Sequence, residues 1–397
     1  MAAELRPLTL STEADAQLRL QALGHSMTGV TSLADQVRLL PHAYKASRLE
    51  GTESASLEAG VAALGGEIFF SPSRTEAILF LSDSRLGELA EHIASQSPLA
   101  GQAHALAKDS PASRRWCDGV GNSLLANQGT TIMGVLNVTP DSFSDGGQYV
   151  DPGVAEEHAL RMVADGAHII DIGGLSTRPG SQPVSVEEEI NRTQPVIQRL
   201  AGRIGVPLSI DTYRSQVAQR ALDAGATIVN DVSGFRFDKA MSGVCARGKA
   251  GVVLMHTSAT PDVMMQHTEY GDLVDDIRAA LQQSMDEAQE SGIAAECIAL
   301  DPGFGFGKTA DQGWGMLRRL PEFRGTGRPL LIGISRKSFF RTILGEERPP
   351  ADRDVASGVA AAAAVIAGGA DIVRTHNVFI TRDCLAVADR LTKPPGP

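Results

Sequence analysis

The feature that most constrains the fold is an alternation of strand-like and helical patterns from residue 131 onward. The strand-like runs are short and apolar, at 131–136, 168–172, 207–210, 227–229, 251–255, 297–300, 329–332 and 371–373. Segments with apolar residues at helical spacing lie between them, including 152–165, 186–201, 214–224, 273–291 and 355–367. This rhythm predicts an α/β fold, the closed (β/α)8 TIM barrel. An open doubly wound sheet is the alternative, because periodicity alone does not show closure.

The first third of the chain has a different pattern. A helical pattern rich in alanine and leucine covers 18–40, a strand pattern covers 77–81, and a helical pattern covers 86–93. Residues 101–127 are rich in small and polar residues, which is typical of a linker. We therefore expect a small N-terminal α/β appendage with its linker over residues 1–127 and the barrel over 128–397. No catalytic motif is present in the appendage, so packing or oligomerisation is its expected role.

Composition excludes several classes of protein. The net charge is −11, whereas nucleic-acid binding requires a concentrated basic surface, so no nucleic-acid partner is expected. No run approaches the ~20 apolar residues of a membrane span, and the first residues lack an apolar signal core. The cysteines show no paired spacing, which predicts reduced thiols and no zinc site; they are Cys117, Cys245, Cys297 and Cys384. The sequence thus predicts a cytoplasmic protein without a membrane partner.

Polar side chains follow almost every predicted strand. In a parallel barrel the loops after the strands share one face, where the reacting groups gather. The residues that the pattern brings to this face are Asn137, Thr177, Arg178, Asp211, Asn230, Asp231, Met255, His256, Asp301, Ser335, Arg336, Lys337, Arg374, His376 and Asn377. Single members have structural alternatives: Asp211 is placed to cap a helix, and His256 is of a type that is often structural. Their coincidence at one end of the strands favours a functional site.

The polar groups fit two kinds of ligand. The carboxylates of Asp211 and Asp301 and the amide of Asn230 suit a flat heterocycle with a donor-rich edge, because a carboxylate accepts two adjacent N–H bonds. Arg178, Arg374 and His376 suit a phosphorylated group. An asparagine oxygen beside phosphate suits Mg²⁺, which prefers oxygen ligands. A heterocycle carrying a diphosphate is therefore the ligand that the residues predict.

Seven ordered motifs resemble the dihydropteroate synthase family of folate biosynthesis. They lie at 137–147, 171–180, 210–212, 229–231, 301–308, 335–337 and 374–376, and the resemblance spans roughly 131–389. It implies a transferase that joins 4-aminobenzoate to (7,8-dihydropterin-6-yl)methyl diphosphate and releases diphosphate and 7,8-dihydropteroate. It also implies a Mg²⁺ cofactor. A homodimer is the expected assembly.

The resemblance assigns a set of residues to the pterin and the aminobenzoate. Asp211, Asn230 and Asp301 would hold the amino-pyrimidinone edge of the pterin. Lys337 would contact the pterin ring, and Met255 would form part of the pocket floor. Ser335 and Phe306 would help to form the aminobenzoate site.

A second set is implied for the diphosphate and for closure of the site. Asn137 would be the Mg²⁺ ligand. Thr177, Arg374 and His376 would bind the diphosphate. Two loops, 138–147 and 174–183, would close over the substrates, bringing in Asp141, Phe143 and Arg178. Lys337, Asp141 and Arg178 are thus the expected catalytic residues.

The implied chemistry is a dissociative substitution. Diphosphate leaves first, and the neutral aryl amine attacks the resulting pterin methylene cation, so no general base of shifted pKa is required. Two alternatives stay open at this stage: a methyltetrahydrofolate-dependent methyltransferase and a pterin-binding scaffold without catalysis. The chain departs from the family pattern at Leu175, where glutamate is common, and over residues 257–261.

Overall fold

The computed structural model describes residues 4–9, 13–23, 43–81, 85–93, 97–108, 114–139, 151–175, 184–345 and 347–392. The chain divides into two compact units. The first unit comprises Met1–Arg114 together with Arg318–Gly327, and the barrel unit comprises Arg115–Leu317 and Arg328–Pro397. Among the described residues, no helix is long and apolar enough to cross a membrane.

The first unit is built on an antiparallel sheet. Its strands are β1 (Glu4–Leu8), β2 (Ala43–Ser47), β3 (Glu67–Phe70) and β4 (Glu76–Phe80), in the order β1-β2-β4-β3. Its helices in the described residues are α1 (Glu13–Ala22), α2 (Gly51–Ala63), α3 (Leu86–His92) and α4 (Pro98–Lys108). Because side chains alternate across a strand, β4 supplies Leu79 to a core shared with Leu57 and Leu89. The neighbouring Ile78 contributes to a second core with Leu20 of α1.

A distant segment of the chain completes the first unit. Glu322, in the short 3-10 turn Leu320–Phe323, forms an ion pair with Arg6 of β1, and both side chains are buried. Arg319 donates from Nε to both oxygens of Glu322 at 3.1 Å. The backbone N–H of Thr9 donates to the same carboxylate at 3.1 Å. Hydrogen-bonded partners of this kind are what allow a charge to remain buried.

The predicted boundary between appendage and barrel differs from the observed one. Helix α4 lies mostly within the predicted linker 101–127, and the barrel unit begins at Arg115 rather than at residue 128. Trp116 and Leu124, from the end of that predicted linker, are buried in the barrel core. The small residues of 101–127 suggested a linker, but Ala and Gly also pack well in short helices and at close contacts.

Eight parallel strands form the barrel. They are β5 (Thr131–Asn137), β6 (Ile169–Gly173), β7 (Leu208–Asp211), β8 (Ile228–Asp231), β9 (Gly251–Met255), β10 (Ile298–Asp301), β11 (Leu331–Ile332) and β12 (Ile372–Thr375). The sheet order is β10-β9-β8-β7-β6-β5-β12-β11. A parallel bridge between Leu300 and Leu330 joins its two end strands, so the sheet is closed. The TIM barrel prediction is confirmed, and the open-sheet alternative is wrong.

Helices follow the strands around the barrel. In the described residues they are α5 (Pro152–Ala164), α6 (Val186–Leu200), α7 (Ser215–Asp223), α8 (Met241–Arg247), α9 (Leu273–Glu290), α10 (Ala310–Arg318), α11 (Arg341–Leu344), α12 (Asp354–Ile366) and α13 (Val378–Thr392). Side-chain caps define several of their starts, including those of α6 and α9. Ser185 accepts from the N–H of Glu188, and Asp272 accepts from the N–H groups of Val274 and Asp275. Such caps satisfy backbone donors that the first turn leaves unpaired.

The amino-terminal end of the barrel is closed by apolar packing. Trp116 and Leu124 form one buried cluster with side chains from seven strands, namely Met133, Ile169, Ile228, Val253, Ala299, Leu331 and Ile372. The indole Nε1 of Trp116 donates to the carbonyl of Cys297 at 3.1 Å, which satisfies its one polar group. This end is filled, and the polar residues lie at the other end of the strands.

Candidate active site

Six residues predicted for the site lie at or near the carboxyl ends of the barrel strands. They are Asn137, Asp211, Asn230, Met255, Asp301 and Arg374. Strand register explains why they meet. Gly173 pairs with both Asn137 and Asp211, and a Cβ placed on it would lie 3.7 Å from Asn137 Oδ1 and 3.6 Å from Asp211 Oδ2. The glycine leaves room for both side chains to face the same space.

A buried ion network forms the centre of the site. Arg374 donates from Nε to Asp171 Oδ2 and from Nη2 to Asp211 Oδ2, both at 2.6 Å. Asn230 donates from Nδ2 to the same oxygen of Asp171 at 3.0 Å. Although burial lowers the pKa of Arg374, Asp171 and Asp211 outweigh this effect and raise it above its ordinary value. The guanidinium therefore stays charged and joins two carboxylates.

Asp171 was missed as a site residue by the sequence reasoning. Its side chain is fully buried within β6, and Oδ1 has no hydrogen-bond partner among the described residues. The signal was present: a carboxylate inside an apolar strand requires a partner to offset the cost of burial. That partner, Arg374, lies 203 positions away in the sequence.

Two carboxylates at the carboxyl ends of the strands, Asp211 and Asp301, have raised pKa values. Burial is the largest cause for Asp211; Arg374 opposes it, and the nearby Asp171 and Glu189 add to it. Burial raises the pKa of Asp301 to about 6, against the opposing effects of the Gly303 N–H and of Lys337. Donors on a bound ligand would stabilise the charged forms that burial disfavours.

Behind Asp211 lies a second buried carboxylate that sequence reasoning also missed. Glu189 of α6 accepts from Thr212 Oγ1 at 2.7 Å and from Arg214 Nη1 at 2.9 Å. Burial raises its pKa, while Thr212 and Arg214 lower it. The contacts fix the segment that follows β7, and so they support the position of Asp211.

The glycine-rich loop after β10 shapes the pocket beside Lys337. Gly303 has φ +74°, and a Cβ there would lie 1.9 Å from the carbonyl oxygen of His256. A Cβ on Gly305 would lie 3.2 Å from Lys337 Cδ. The Nζ of Lys337 lies 4.2 Å from the ring centroid of Phe306, a cation–π contact. The structure therefore brings the predicted residues Lys337 and Phe306 together.

Lys308 and His256 form a buried pair beneath this loop. Lys308 Nζ lies 3.0 Å from His256 Nδ1 and donates to the carbonyl of Phe306 at 2.9 Å. Burial lowers the pKa of Lys308 to about 7. Burial, with Lys308 and Arg236, lowers the pKa of His256 to about 2, so the imidazole is neutral. His256 is a structural histidine, in agreement with its structural interpretation in the sequence.

Ser335 and His376 meet at the loops after β11 and β12. Ser335 Oγ lies 3.0 Å from His376 Nδ1 and accepts from the His376 N–H at 3.2 Å. Arg336, between Ser335 and Lys337 in the sequence, has a different partner. Its φ is +61°, and it donates two hydrogen bonds to Asp354, at 2.7 and 2.9 Å. Arg336 thus anchors the loop that carries Ser335 and Lys337.

Local contacts also hold Asp231 and the loop after β9, whose sequence departs from the family pattern. Asp231 accepts from the N–H and Oγ of Ser233 and from the N–H of Phe235. Thr257 Oγ1 donates to the carbonyl of Ala259 at 2.9 Å. Both are structural roles. The predicted residues Asp141, Phe143, Thr177 and Arg178 lie outside the described part of the chain.

The chain is similar to known proteins in sequence and in fold. The chain matches the family described as "Pterin binding enzyme" over residues 133–376. It is 48% identical over 262 residues to the dihydropteroate synthase of Synechocystis sp., covering 66% of this chain and 90% of that protein.

Two solved structures share the barrel. A dihydropteroate synthase of Xanthomonas albilineans with 4-aminobenzoic acid superposes with a TM-score of 0.63 at 37% identity, covering 69% of this chain and 96% of that chain. The Burkholderia cenocepacia dihydropteroate synthase complexed with 7,8-dihydropteroate gives a TM-score of 0.62 at 38% identity, covering 70% and 96%.

Proposed function

Since this chain belongs to the dihydropteroate synthase family of pterin-binding enzymes, we propose that the carboxyl ends of its barrel strands form the site of that family's reaction. The protein is a transferase of folate biosynthesis that condenses (7,8-dihydropterin-6-yl)methyl diphosphate with 4-aminobenzoate. The observation that carries the site is the convergence of Asp211, Asn230 and Asp301 near the partly buried Arg374 and its partner Asp171.

The pterin edge is recognised by acceptors. Asn230 gives its Nδ2 to Asp171, so its Oδ1 remains as an acceptor for a ligand N–H. Asp301 uses Oδ1 to accept from the Gly303 N–H at 2.7 Å, which leaves Oδ2 for the ligand. Together with the Asp211 carboxylate, these acceptors match the ring N–H and exocyclic amine of an amino-pyrimidinone. Met255, buried beside Gly303, forms the apolar floor.

The same carboxylates assist the departure of diphosphate. Negative charge held in a buried site stabilises a positive charge that develops on the pterin methylene, because the local dielectric is low. Arg374 and His376, with Thr177, bind the leaving diphosphate. Lys337, Asp141 and Arg178 act as catalytic residues at the closed site. The aryl amine of 4-aminobenzoate, bound with the help of Phe306 and Ser335, then attacks the methylene carbon.

A magnesium ion is the proposed cofactor. Asn137 ends β5 with its amide oxygen near Gly173, at the open end of the barrel. Described residues include no cluster of three or more His, Cys, Asp or Glu side chains that would hold a metal. The single amide oxygen of Asn137 suits Mg²⁺, which is commonly held by one or two protein oxygens together with substrate phosphates. When bound, the ion would neutralise charge on the leaving diphosphate.

A second copy of the chain is the proposed partner, besides the small-molecule substrates. Helix α12 exposes Val355 and Val359, which are 63% and 59% exposed, and α13 exposes Val387 and Leu391, which are 61% and 69% exposed. Both pairs are spaced four residues apart and so share a helix face. Burial of these faces against a second copy would remove them from water. The cytoplasm stays the predicted location.

Diphosphate release tests the proposed activity. The full chain is incubated with the dihydropterin diphosphate and Mg²⁺, with and without 4-aminobenzoate. We expect release and dihydropteroate formation that depend on 4-aminobenzoate and fail in Lys337→Ala. Lys45→Ala, at a surface ion pair of the first unit, is the matched control and should keep full activity. Pterin binding without diphosphate release under any condition would contradict the activity and favour a scaffold or a methyltransferase.

Metal dependence and assembly have separate tests. Asn137→Ala should require a higher Mg²⁺ concentration for half-maximal rate, whereas Asn137→Asp should retain the wild-type requirement; equal requirements in all three would contradict the assignment. Light scattering should give a dimer that Val355→Glu with Val359→Glu converts to a monomer. Val120→Glu, at an equally exposed valine elsewhere, should remain dimeric.

A further inference from the structure

Two cysteines that are distant in the sequence meet at the amino-terminal end of the barrel. Cys297 immediately precedes β10, and Cys117 lies just after the start of the barrel unit. Their Sγ atoms are 3.9 Å apart. The two residues are 180 positions apart in the sequence, so their spacing along the chain gives no sign that the thiols meet.

Hydrogen bonds hold the backbone on both sides of the pair. The N–H of Cys117 donates to the carbonyl of Glu296 at 2.9 Å, and Trp116 donates to the carbonyl of Cys297 at 3.1 Å. The Cys117 segment is also bridged to Ser123 in an antiparallel manner. The proximity of the two thiols is therefore a property of the barrel end rather than of a free loop.

The two thiols differ in their access to solvent. Cys297 is 3% exposed, whereas Cys117 is partly exposed. A small reagent in solution therefore reaches Cys117 first. Cys297 lies close enough to react with the mixed disulfide that Cys117 would form with such a reagent.

We propose that Cys117 and Cys297 are a modification site at which low-molecular-mass disulfides convert the two thiols to an intramolecular disulfide. The Cys117 thiolate attacks one sulfur of the small disulfide and expels one small thiolate, which takes up the proton lost by Cys117. Cys297 then attacks Sγ of Cys117 and expels the second small thiol. Two protein thiols are oxidised, and one small disulfide is reduced to two thiols.

Geometry allows the closing step with limited movement. The Sγ–Sγ separation has to shorten from 3.9 Å to about 2.05 Å in the disulfide. Burial, with Cys117 beside it, raises the pKa of Cys297 to about 12. Because the thiolate is the attacking form, closure should be faster at higher pH.

The crosslink has a local effect and spares the active site. It would tie the segment bearing Trp116 and Leu124 to the start of β10. The reacting groups of the transferase lie at the opposite ends of the strands. We therefore expect oxidation to raise the midpoint of thermal unfolding and to leave the rate of diphosphate release unchanged.

The experiment uses the folded full chain and oxidised glutathione. After incubation, free thiols are blocked, and the thiol count and the non-reducing peptide map are determined. We expect the number of free thiols to fall from the four of the reduced chain to two, with a Cys117–Cys297 peptide that a reductant removes. In Cys297→Ser, a glutathione adduct on Cys117 should accumulate instead.

Matched variants decide the outcome. Cys384→Ser, which removes the other partly exposed cysteine, should form the crosslink at the wild-type rate, and Cys117→Ser should form none. Retention of four free thiols in the folded chain would overturn the proposal. So would a stable glutathione adduct on Cys117 in the wild type, or a crosslink that forms only after denaturation. Diphosphate release is followed in parallel, so that loss of the transferase activity is distinguished from failure of the thiol chemistry.

Discussion

At the carboxyl ends of the barrel strands, Arg374 holds two carboxylates at 2.6 Å each, whereas at the amino ends Trp116 and Leu124 pack among apolar side chains. Strands of the same barrel supply both ends. Charged groups gathered at one end are held by hydrogen bonds, and several have shifted pKa values. Closely packed carbon atoms dominate the other end. The comparison shows that the groups proposed for the reaction lie at one end of the barrel axis, and the apolar packing that stabilises the fold lies at the other.

The strongest challenge to this separation is the removal of Arg374. Arg374→Met should abolish measurable dihydropteroate formation and lower the free energy of unfolding by about 3–5 kcal/mol, because it leaves buried carboxylates without their cation. Denaturant unfolding and diphosphate release measure the two effects. Adding Asp171→Asn should recover part of the stability but no activity. A stable, active Arg374→Met would contradict the role of the network.

Removal of a large side chain at the amino ends of the strands should lower stability without lowering activity. Trp116→Ala should lower the free energy of unfolding by about 3–5 kcal/mol, since it opens a cavity in a packed core. The turnover rate at a temperature where the variant is folded should match the wild type. Leu125→Ala, at a partly buried neighbour of the same cluster, is the milder control. A large change in the turnover of Trp116→Ala would show that the two ends are coupled.

Titration of Asp301 gives a smaller, pH-dependent effect. Burial raises its folded-state pKa to about 6, above the ordinary value of about 3.9. The folded protein holds this proton more tightly than the unfolded chain does. The resulting contribution of Asp301 to stability is therefore present below about pH 4 and is lost as the pH rises to about 6. Across that window, wild type should lose on the order of 2–3 kcal/mol more stability than Asp301→Asn. Parallel stability profiles would count against a raised pKa at Asp301.

The smallest expected effect concerns the loop beside Lys337. Gly305 has φ +77°, and an added Cβ would press on Lys337 Cδ. Gly305→Ala should lower stability by about 1–2 kcal/mol and raise the KM for the pterin substrate more than it lowers kcat. Gly315→Ala in α10, where a Cβ meets nothing within 4 Å, is the control and should be neutral or slightly stabilising.

Much of the barrel could be predicted from the sequence, for a physical reason. A strand buried on both faces is a short apolar run, and the polar residue that ends it marks the exit to the loop. The predicted strands 131–136 and 251–255 therefore agree with β5 and β9 to within one residue. The position of Asp211 and Asp301 at the carboxyl end of the barrel could be predicted because each ends such a run.

Long-range partners explain what could not be predicted. The functions of Asp171 and Glu189 depend on Arg374 and Arg214, and periodicity does not identify such partners. The basic run at 335–337 gave no indication that Arg336 turns away to Asp354. In the first unit, a single strand at 77–81 was predicted where the structure has a four-stranded sheet, because its strands mix buried and partly exposed residues over only a few positions.

The buried pair of Arg6 and Glu322 has a consequence for synthesis of the protein. Arg6 leaves the ribosome 316 residues before its partner, so the first unit lacks its buried counter-charge while most of the barrel is being made. Domains usually fold in the order in which they emerge, but a cation without its partner is costly to bury. The N-terminal sheet is thus translated before the barrel but is among the last parts of the two units to reach its final packing.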